Sequence, residues 1–206
     1  MAVAGGPRVI VDWDGTVTER DSLLMVLEEF GDWEKCRRLG DQLFRGEISL
    51  REEIERQFAT VTAPLGEVVD WVVASVRVRP GFRELVERFR PLLVSSGFHQ
   101  LIDPVLAREG VAVAVEANRV EAHPEGWRPV WRELPVCAVC GQPCKRAALP
   151  ADGEVVYVGD GYSDRCAALA AGRVFARAGL AEYLSAQGGA YEPFDDLTDV
   201  LRALEG

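Results

Sequence analysis

The chain has 206 residues, of which 48% are hydrophobic and 27% are charged, as expected for one globular domain or for one domain carrying a smaller insertion. Its formal net charge of −10 argues against a nucleic-acid or an anionic-membrane partner, because such surfaces need clustered Lys and Arg. No apolar run of the sequence approaches the roughly 20 residues that cross a membrane. With this net charge, an anionic substrate requires a local positive group such as a metal ion.

The N-terminus and the cysteine content bear on the compartment. Residues 1–7 are too few for a signal peptide, which predicts a cytoplasmic protein with a loose N-terminus. Five cysteines in such a protein favour free thiols or a metal site over a disulfide framework.

The first predicted element is a strand that ends in two acids. The apolar run Val9-Ile10-Val11 leads directly into Asp12 and Asp14. Successive side chains of a strand alternate between its faces, so Asp12 and Asp14 emerge together while Trp13 points away. Paired acids at the carboxyl end of a buried parallel strand lie where open α/β sheets have their ligand crevice. The alternative interpretation is a solvated turn that uses Asp and Gly for its backbone geometry.

The next sixty residues carry apolar side chains at helical spacing, which predicts a small helical bundle inserted after the acid pair. Asp21 or Ser22 can begin its first helix, and Ser49 with Glu52 has the pattern of a capping box for a later one. We interpret the apolar stripes of these helices as core packing. The predicted domains are a Rossmann-like core, residues 1–16 and 80–206, and a helical cap, residues 17–79.

Strands and helices alternate along the rest of the chain, which predicts an α/β fold with a mostly parallel sheet between two layers of helices. Residues 116–135 alternate weakly and contain Pro and Gly, so a hairpin or an irregular excursion is expected there. Ser163 is expected to cap the Ala-rich helix that follows it. The remaining predicted strands cover residues 91–97, 111–115, 154–161, 173–176 and 191–194.

Chemically useful residues stand at four of these strand ends and helix starts. A carboxylate nucleophile can form an aspartyl-phosphate, hydroxyl and N–H groups bind phosphate oxygens, Lys neutralises charge, and Mg²⁺ takes carboxylate oxygens. A single motif of this kind is commonly a turn, and Lys145 by itself can be a surface residue. The presence of four such motifs in order along the chain indicates phosphoryl transfer. In chain order the motifs are Asp12 with Asp14, Ser95-Ser96-Gly97, Lys145, and residues 159–164, Gly-Asp-Gly-Tyr-Ser-Asp.

This order of motifs resembles the haloacid-dehalogenase-like superfamily of phosphatases, and the likeness spans the chain from Arg8 to about Phe194. The helical insert resembles the cap of the branch that contains phosphoserine phosphatase. Within that branch the chain most resembles the methionine-salvage phosphatases, which act on 2-hydroxy-3-keto-5-methylthiopentenyl-1-phosphate. The segments that carry this second likeness are residues 12–18, 79–82, 95–97, the Cys-then-Lys145 element and residues 175–177.

The resemblance implies a role for each motif residue in a Mg²⁺-dependent phosphomonoesterase acting on a small phosphorylated metabolite. Asp12 is the nucleophile, and Asp14 protonates the leaving oxygen and then activates water. Mg²⁺ is held by the Asp12 carboxylate, the Asp14 backbone carbonyl and Asp160, with Asp164 orienting this site from behind. The expected phosphate-binding residues are Thr16, which braces the nucleophile loop, Ser95, Ser96 and Lys145.

Phosphoserine is the alternative substrate, and two positions depart from the pattern of the serine phosphatases. Those enzymes carry Glu nine residues after the nucleophile, where this chain has Asp21. Their cap arginine falls on Gln57, although Arg56 is adjacent. An amino-acid zwitterion is therefore less well served than a substrate without an amino and a carboxyl group.

A cysteine cluster, Cys137-x-x-Cys140-x3-Cys144, precedes Lys145. Three thiols at this spacing can hold zinc with one further ligand such as His123. The alternative is a set of partly buried free thiols in the loop that presents Lys145. A zinc site also keeps open a third hypothesis, a zinc-holding interaction module without catalysis. The other two cysteines, Cys36 and Cys166, lie in helical patterns and are interpreted as core.

Overall fold

The computed structural model describes residues 7–206, so the expected loose N-terminus lies outside the described residues but for Pro7. A seven-stranded sheet with strand order β4-β3-β2-β1-β5-β6-β7 forms the centre of the fold. All neighbouring strands are parallel except β3 and β4, which are antiparallel. The strands are β1 (Arg8–Val11), β2 (Leu92–Phe98), β3 (Ala114–Glu121), β4 (Arg128–Val130), β5 (Val155–Gly159), β6 (Arg173–Ala176) and β7 (Glu192–Pro193).

Helices cover both faces of this sheet, and the predicted α/β class with a mostly parallel sheet is confirmed. All five residues of β5 are buried, because a central parallel strand is covered on both sides. The alternation along β1 sends Val9 and Val11 into one hydrophobic cluster and Ile10 into another. The helices are α1 (Ser22–Phe30), α2 (Trp33–Phe44), α3 (Leu50–Phe58), α4 (Leu65–Ser75), α5 (Phe82–Phe89), α6 (His99–Glu109), α7 (Arg165–Ala168), α8 (Ala178–Ala186) and α9 (Leu197–Glu205).

Helices α1 to α4 occupy the segment expected to be a cap. The Asp21 carboxylate accepts a hydrogen bond from the Leu24 N–H at 2.9 Å, so Asp21 begins α1 as expected. Ser49 Oγ accepts from the Glu52 N–H at 3.1 Å and begins α3. A bridge between Thr18 and Val78 closes the segment where it leaves and rejoins the sheet region. The division into core and cap stays a prediction. The sequence pattern does not indicate α2 as a separate helix.

Two local expectations were wrong. The strand expected at residues 111–115 begins at Ala114 and runs to Glu121, because Val111 and Val113 pack on the hydrophobic core from the connection that precedes it. It pairs with β4, so residues 116–135 contain a hairpin. Ser163 does not cap a helix, since α7 begins at Arg165. The carboxylate of Asp164 accepts a hydrogen bond from the Gly161 N–H at 2.9 Å.

Trp127, in the connection between β3 and β4, packs this hairpin against α3 and is fully buried. Its ring stacks on Phe58 at 6.2 Å between centroids, and its Nε1 donates to the Ala63 carbonyl at 2.9 Å. Packing rather than ligand contact accounts for this tryptophan. Within residues 7–206, no helix combines the length and the apolar character needed to cross a bilayer.

Candidate active site

The predicted residues from three neighbouring strands come together at one edge of the sheet. Strands β2, β1 and β5 are adjacent and parallel, so their carboxyl ends, which carry Ser96, Asp12 and Asp160, meet. A cavity of about 500 Å³ lies there, and its walls include these three residues, Asp14 and Lys145. A cavity of about 680 Å³ lies beside the amino ends of β2 and β3 and contains none of them.

Asp12 is the most enclosed acid of the β1 loop, with 3% of its surface exposed. The loop turns sharply at Gly15, whose φ is +75°, and a Cβ there would overlap the Asp160 carboxylate. The Gly15 N–H donates to Thr18 Oγ1 at 3.0 Å, which fixes the turn. Only glycine therefore allows the Asp12 loop and the end of β5 to approach this closely.

Lys145 joins Asp12 to Asp164. Its ammonium donates to Asp12 Oδ1 and, at 2.8 Å, to Asp164 Oδ1, and the side chain is almost completely buried. Burial alone lowers the pKa of Lys145, but the charges of Asp12 and Asp164 outweigh it and raise the pKa above its usual value. Lys145 is therefore a fixed positive charge at the end of β1.

The pKa of Asp12 responds to the same surroundings. Burial raises it well above its usual value, the Asp164 charge raises it further, and Lys145 opposes both effects. A group of buried carboxylates with one lysine has excess negative charge, which favours binding of a further cation.

Asp164 is fully buried, and both of its oxygens are occupied by donors. Oδ1 accepts from Lys145 and, at 2.7 Å, from the Tyr157 hydroxyl. Oδ2 accepts from the N–H groups of Asp160 at 3.1 Å and Gly161 at 2.9 Å. With its lone pairs directed at these donors, Asp164 orients Lys145 and the start of the Asp160 loop.

Asp14 points to the cap side of the site. Its Oδ1 accepts from the N–H of Ser22 at 2.9 Å and from the Ser22 hydroxyl, and its Oδ2 accepts from Ser95 Oγ at 3.2 Å. Burial raises the pKa of Asp14, and the hydrogen bonds from Ser22 oppose that shift. Asp14 thus connects the β1 loop, the start of α1 and the end of β2.

The residues present fit a hard divalent cation such as Mg²⁺. Carboxylate oxygens of Asp12, Asp160 and Asp164 lie within 4.8 Å of one another. Thr16 Oγ1 donates to Asp160 Oδ1 at 3.0 Å, and burial together with the Asp164 charge raises the pKa of Asp160 to about 6. Since the Asp164 oxygens already have donors, Asp12 and Asp160 are the carboxylates available to a metal.

The end of β2 supplies the predicted phosphate-binding serines. Ser95 Oγ accepts from the Gly97 N–H at 2.8 Å as well as donating to Asp14. Ser96 lines the cavity, and its carbonyl accepts from Asn118 Nδ2 at 2.9 Å. Ser95 is therefore held inside the site, and Ser96 borders its open space.

Helices α1, α2 and α3 form the other side of the cavity, with a largely apolar wall. Gln57, at the position expected for a cap arginine, donates to the Cys36 carbonyl at 3.3 Å and to Glu53 at 3.1 Å. Arg56 pairs with Glu52 on the outside of α3. Arg37, Arg38 and Asp41 add charged groups, and the apolar wall residues include Leu24, Trp33, Leu43, Phe44, Leu50 and Ile54.

The cysteines assemble differently from the prediction. The sulfur atoms of Cys137, Cys140 and Cys144 are joined by that of Cys166, and all four lie within 4.8 Å of one another. Cys166, which the sequence indicates as a core residue, joins this group from α7. His123, named in the sequence analysis as a further ligand, is not a member of the group, and its Nε2 lies 3.6 Å from Glu121. Cys36 is buried as expected.

Sequence reasoning missed two polar residues that fix the acids. Tyr157 belongs to an apolar strand pattern in the sequence, but it is fully buried in β5, where its hydroxyl needs a partner. Ser22 is expected to begin a helix, whereas its hydroxyl contacts Asp14. The signal available in the sequence was a polar atom in an apolar pattern, without an indication of its partner.

Comparisons with known proteins agree with this geometry. Residues 9–169 match the family model described as haloacid dehalogenase-like hydrolase. The 2-hydroxy-3-keto-5-methylthiopentenyl-1-phosphate phosphatase of Geobacillus kaustophilus (strain HTA426) is 30% identical, over 94% of this chain and 93% of the relative. That of Brevibacillus brevis (strain 47 / JCM 6285 / NBRC 100599) is 27% identical, over 94% of this chain and 93% of the relative.

A solved structure shares the fold. Phosphoserine phosphatase from T. onnurineus, in complex with NDSB-201, superimposes with a TM-score of 0.71 at 18% identity, covering 98% of this chain and 95% of that one. At this identity the likeness concerns the fold alone.

Proposed function

Since this chain belongs to the haloacid dehalogenase-like hydrolase family and is a phosphoric monoester hydrolase, we propose that it cleaves a small phosphorylated metabolite through a phosphoaspartate on Asp12. The observation that supports this most is the placement of Asp12 and Asp14 on one cavity with Lys145 bonded to Asp12. Transfer of a phosphoryl group from an ester to Asp12 requires a nucleophile, an acid and a cation near one another, and this arrangement supports that proposal.

In the first step, an Asp12 oxygen forms a bond to phosphorus, and the bond between phosphorus and the ester oxygen breaks. Asp14 gives its proton to that leaving oxygen. In the second step, Asp14 takes a proton from water, whose oxygen attacks phosphorus and releases Asp12 with inorganic phosphate. Asp14 thereby returns to its protonated form, and no proton or electron is left over.

The other residues of the site hold the reacting groups in position and neutralise the charge of the phosphate. Lys145 offsets negative charge beside Asp12. Ser96, which lines the cavity, and Ser95, which contacts Asp14, are the residues that would bind the phosphoryl oxygens. Thr16 braces Asp160, and Asp164 holds Lys145. The Asp12 carboxylate, the Asp14 carbonyl and Asp160 would hold Mg²⁺, which would neutralise charge at the phosphoryl group.

We propose 2-hydroxy-3-keto-5-methylthiopentenyl-1-phosphate as the substrate. The apolar wall formed by α1, α2 and α3 matches a methylthio-ended chain, which buries apolar surface there. Phosphoserine is the competing candidate. The Gln57 amide donates to Cys36 and Glu53 and supplies no cation for an amino-acid carboxylate, which leaves Arg37 and Arg38 as the cations of this wall. Asp21, the counterpart of the serine-phosphatase glutamate, lines the cavity, and one of its oxygens accepts from the Leu24 N–H at the start of α1.

The test is a panel of phosphorylated metabolites with Mg²⁺, applied to the wild type, Asp12→Asn and the control Asp70→Asn, which alters an exposed aspartate of α4. We expect metal-dependent phosphate release that Asp12→Asn abolishes and Asp70→Asn retains, because an amide is a poor nucleophile. Undiminished turnover by Asp12→Asn would overturn the mechanism. Preferred hydrolysis of phosphoserine would overturn the substrate but not the reaction.

A further inference from the structure

A second candidate metal site lies next to the acids and is made of sulfur. Cys137, Cys140 and Cys144 come from the loop before Lys145, and Cys166 comes from α7. Their four sulfur atoms lie within 4.8 Å of one another. Four thiolates from two separate segments of the chain are a donor set typical of structural zinc.

The loop that carries three of these cysteines has little else to hold it. Its regular backbone pairing is a single bridge between Val136 and Pro143. The side chains of Val136 and Val139 are 68% and 59% exposed, so burial of apolar surface contributes little to its conformation. A segment of this kind gains a fixed conformation from a cross-link or a metal rather than from a core.

The turn in this loop arranges its sulfur atoms for a cation. The Gly141 N–H donates to the Cys137 carbonyl at 2.9 Å, with Gly141 at φ +72°, and the Cys137 N–H donates to the Gln142 carbonyl at 3.0 Å. The Val139 N–H donates to Cys137 Sγ at 3.4 Å. A backbone N–H directed at sulfur stabilises the thiolate, which is the form that binds metal.

We propose that Cys137, Cys140, Cys144 and Cys166 together bind one structural zinc ion with tetrahedral geometry. Zinc–sulfur bonds of about 2.3 Å in a tetrahedron place the sulfur atoms about 3.8 Å apart, which the observed group reaches by small movements. Each cysteine binds as a thiolate, so the thiol protons are released to solvent and no oxidation occurs. Soft sulfur donors select zinc here, whereas the carboxylates beside Asp12 select Mg²⁺.

This zinc site has a positional consequence for the acids. Cys144 immediately precedes Lys145, and Cys166 follows Asp164 by two residues. Zinc therefore cross-links the two segments whose side chains meet at 2.8 Å between Lys145 Nζ and Asp164 Oδ1. The cysteine group acts as a positioning device for Lys145, and its existence does not depend on the proposed substrate or reaction.

The experiment measures zinc per chain in protein purified under reducing conditions, reconstituted with Zn²⁺ and freed of loosely bound metal. The variants are Cys140→Ser, which changes the exposed thiol of the group, and Cys166→Ser. The matched control is Cys36→Ser, which changes the thiol in α2. We expect about one zinc per chain in the wild type and control, and less than about one tenth in both other variants.

X-ray absorption on the wild type keeps the proposal testable if a variant does not fold. Four sulfur neighbours at about 2.3 Å around zinc are expected. Cobalt in place of zinc is expected to show tetrahedral d–d bands with thiolate charge transfer. A wild type without stoichiometric zinc, an intramolecular disulfide among these cysteines, fewer than four sulfur neighbours, or full zinc retention by Cys166→Ser would each overturn the assignment.

Discussion

Two buried carboxylates, Asp164 in the sheet region and Glu53 in α3, have very different partners. Asp164 has no exposed surface and is held by Lys145, Tyr157 and two backbone N–H groups. Glu53 is 8% exposed, and within residues 7–206 its carboxylate has one hydrogen-bond donor, Gln57 at 3.1 Å. The comparison shows that two buried acids can differ greatly in the number of donors that hold them in position.

The difference also separates two tasks. Around Asp164 each polar group is paired, so positions are fixed to suit one reaction. Around Glu53 the wall is mostly apolar, although it also contains Arg37 and Arg38, and the hydrogen-bond donor to Glu53 is the neutral Gln57. A mostly apolar wall suits selection among substrates by shape and apolar contact. The following predictions test this contrast, beginning with the largest expected effect.

Loss of Lys145 should have the largest effect. Lys145→Ala leaves Asp12 and Asp164 buried without their cation, and we expect it to lower the free energy of unfolding by about 3–5 kcal/mol. The control is Lys35→Ala, at the other lysine of the chain, which is exposed and should change stability by less than about 0.5 kcal/mol. Urea unfolding measures both, and equal values for the two variants would contradict the pairing.

Tyr157→Phe should have the next largest effect. It removes the 2.7 Å hydrogen bond to the Asp164 carboxylate without opening a large cavity, so we expect a loss of about 1.5–3 kcal/mol. Tyr191→Phe is the matched control, because its hydroxyl pairs with Ser185 at an exposed position. Urea unfolding of the two variants decides whether Asp164 depends on its tyrosine.

Glu53→Gln should stabilise the protein in a pH-dependent way. Burial raises the pKa of Glu53 to about 7, although Gln57 opposes the shift, so the folded protein disfavours the charged form. The wild type therefore loses stability as the pH rises from the unfolded pKa of about 4.3 through about 7. We expect the variant to be more stable than the wild type at pH 8 by about 1–2 kcal/mol, with the advantage shrinking toward pH 5.

Thermal unfolding at several pH values measures the Glu53 effect. Glu55→Gln, two residues along the same helix, is the control, because its carboxylate accepts from Trp131 Nε1 in an exposed position. A stability advantage of Glu53→Gln that does not vary with pH would contradict titration of this group.

A change in the apolar wall should alter substrate preference with the smallest energetic effect. Leu24 is 40% exposed and borders the cavity, so Leu24→Ser removes apolar contact with little effect on folding. We expect kcat/KM for the methylthio substrate to fall about tenfold, or about 1.4 kcal/mol, and that for a short phosphate ester to stay nearly constant. Leu169→Ser, at a 45% exposed position after α7, is the control for a surface leucine. A parallel fall for both substrates would show that Leu24 acts on the chemistry instead.

Local patterns in the sequence determined the α/β class and the members of the acid cluster. The apolar run before Asp12 predicted a buried strand, which is β1. The strand ends at Val11, however, and Asp14 lies in the turn over Trp13–Val17, so this turn rather than strand alternation brings Asp14 to the cavity. An apolar run also located Asp160 after β5. The sequence does not predict the start of β3 at Ala114 or the start of α7 at Arg165. Contacts with other elements decide where a strand or a helix begins.

Only the tertiary structure decided which polar groups meet. Tyr157 and Asp164, Ser22 and Asp14, or Cys144 and Cys166 lie on different segments, and their approach depends on how those segments pack around the sheet. Periodicity identifies the face on which a side chain lies, but not the element opposite that face. The motifs of the sequence therefore indicate the class of reaction. The group of four cysteines and the composition of the cavity wall depend on how the elements pack, so only the tertiary structure shows them.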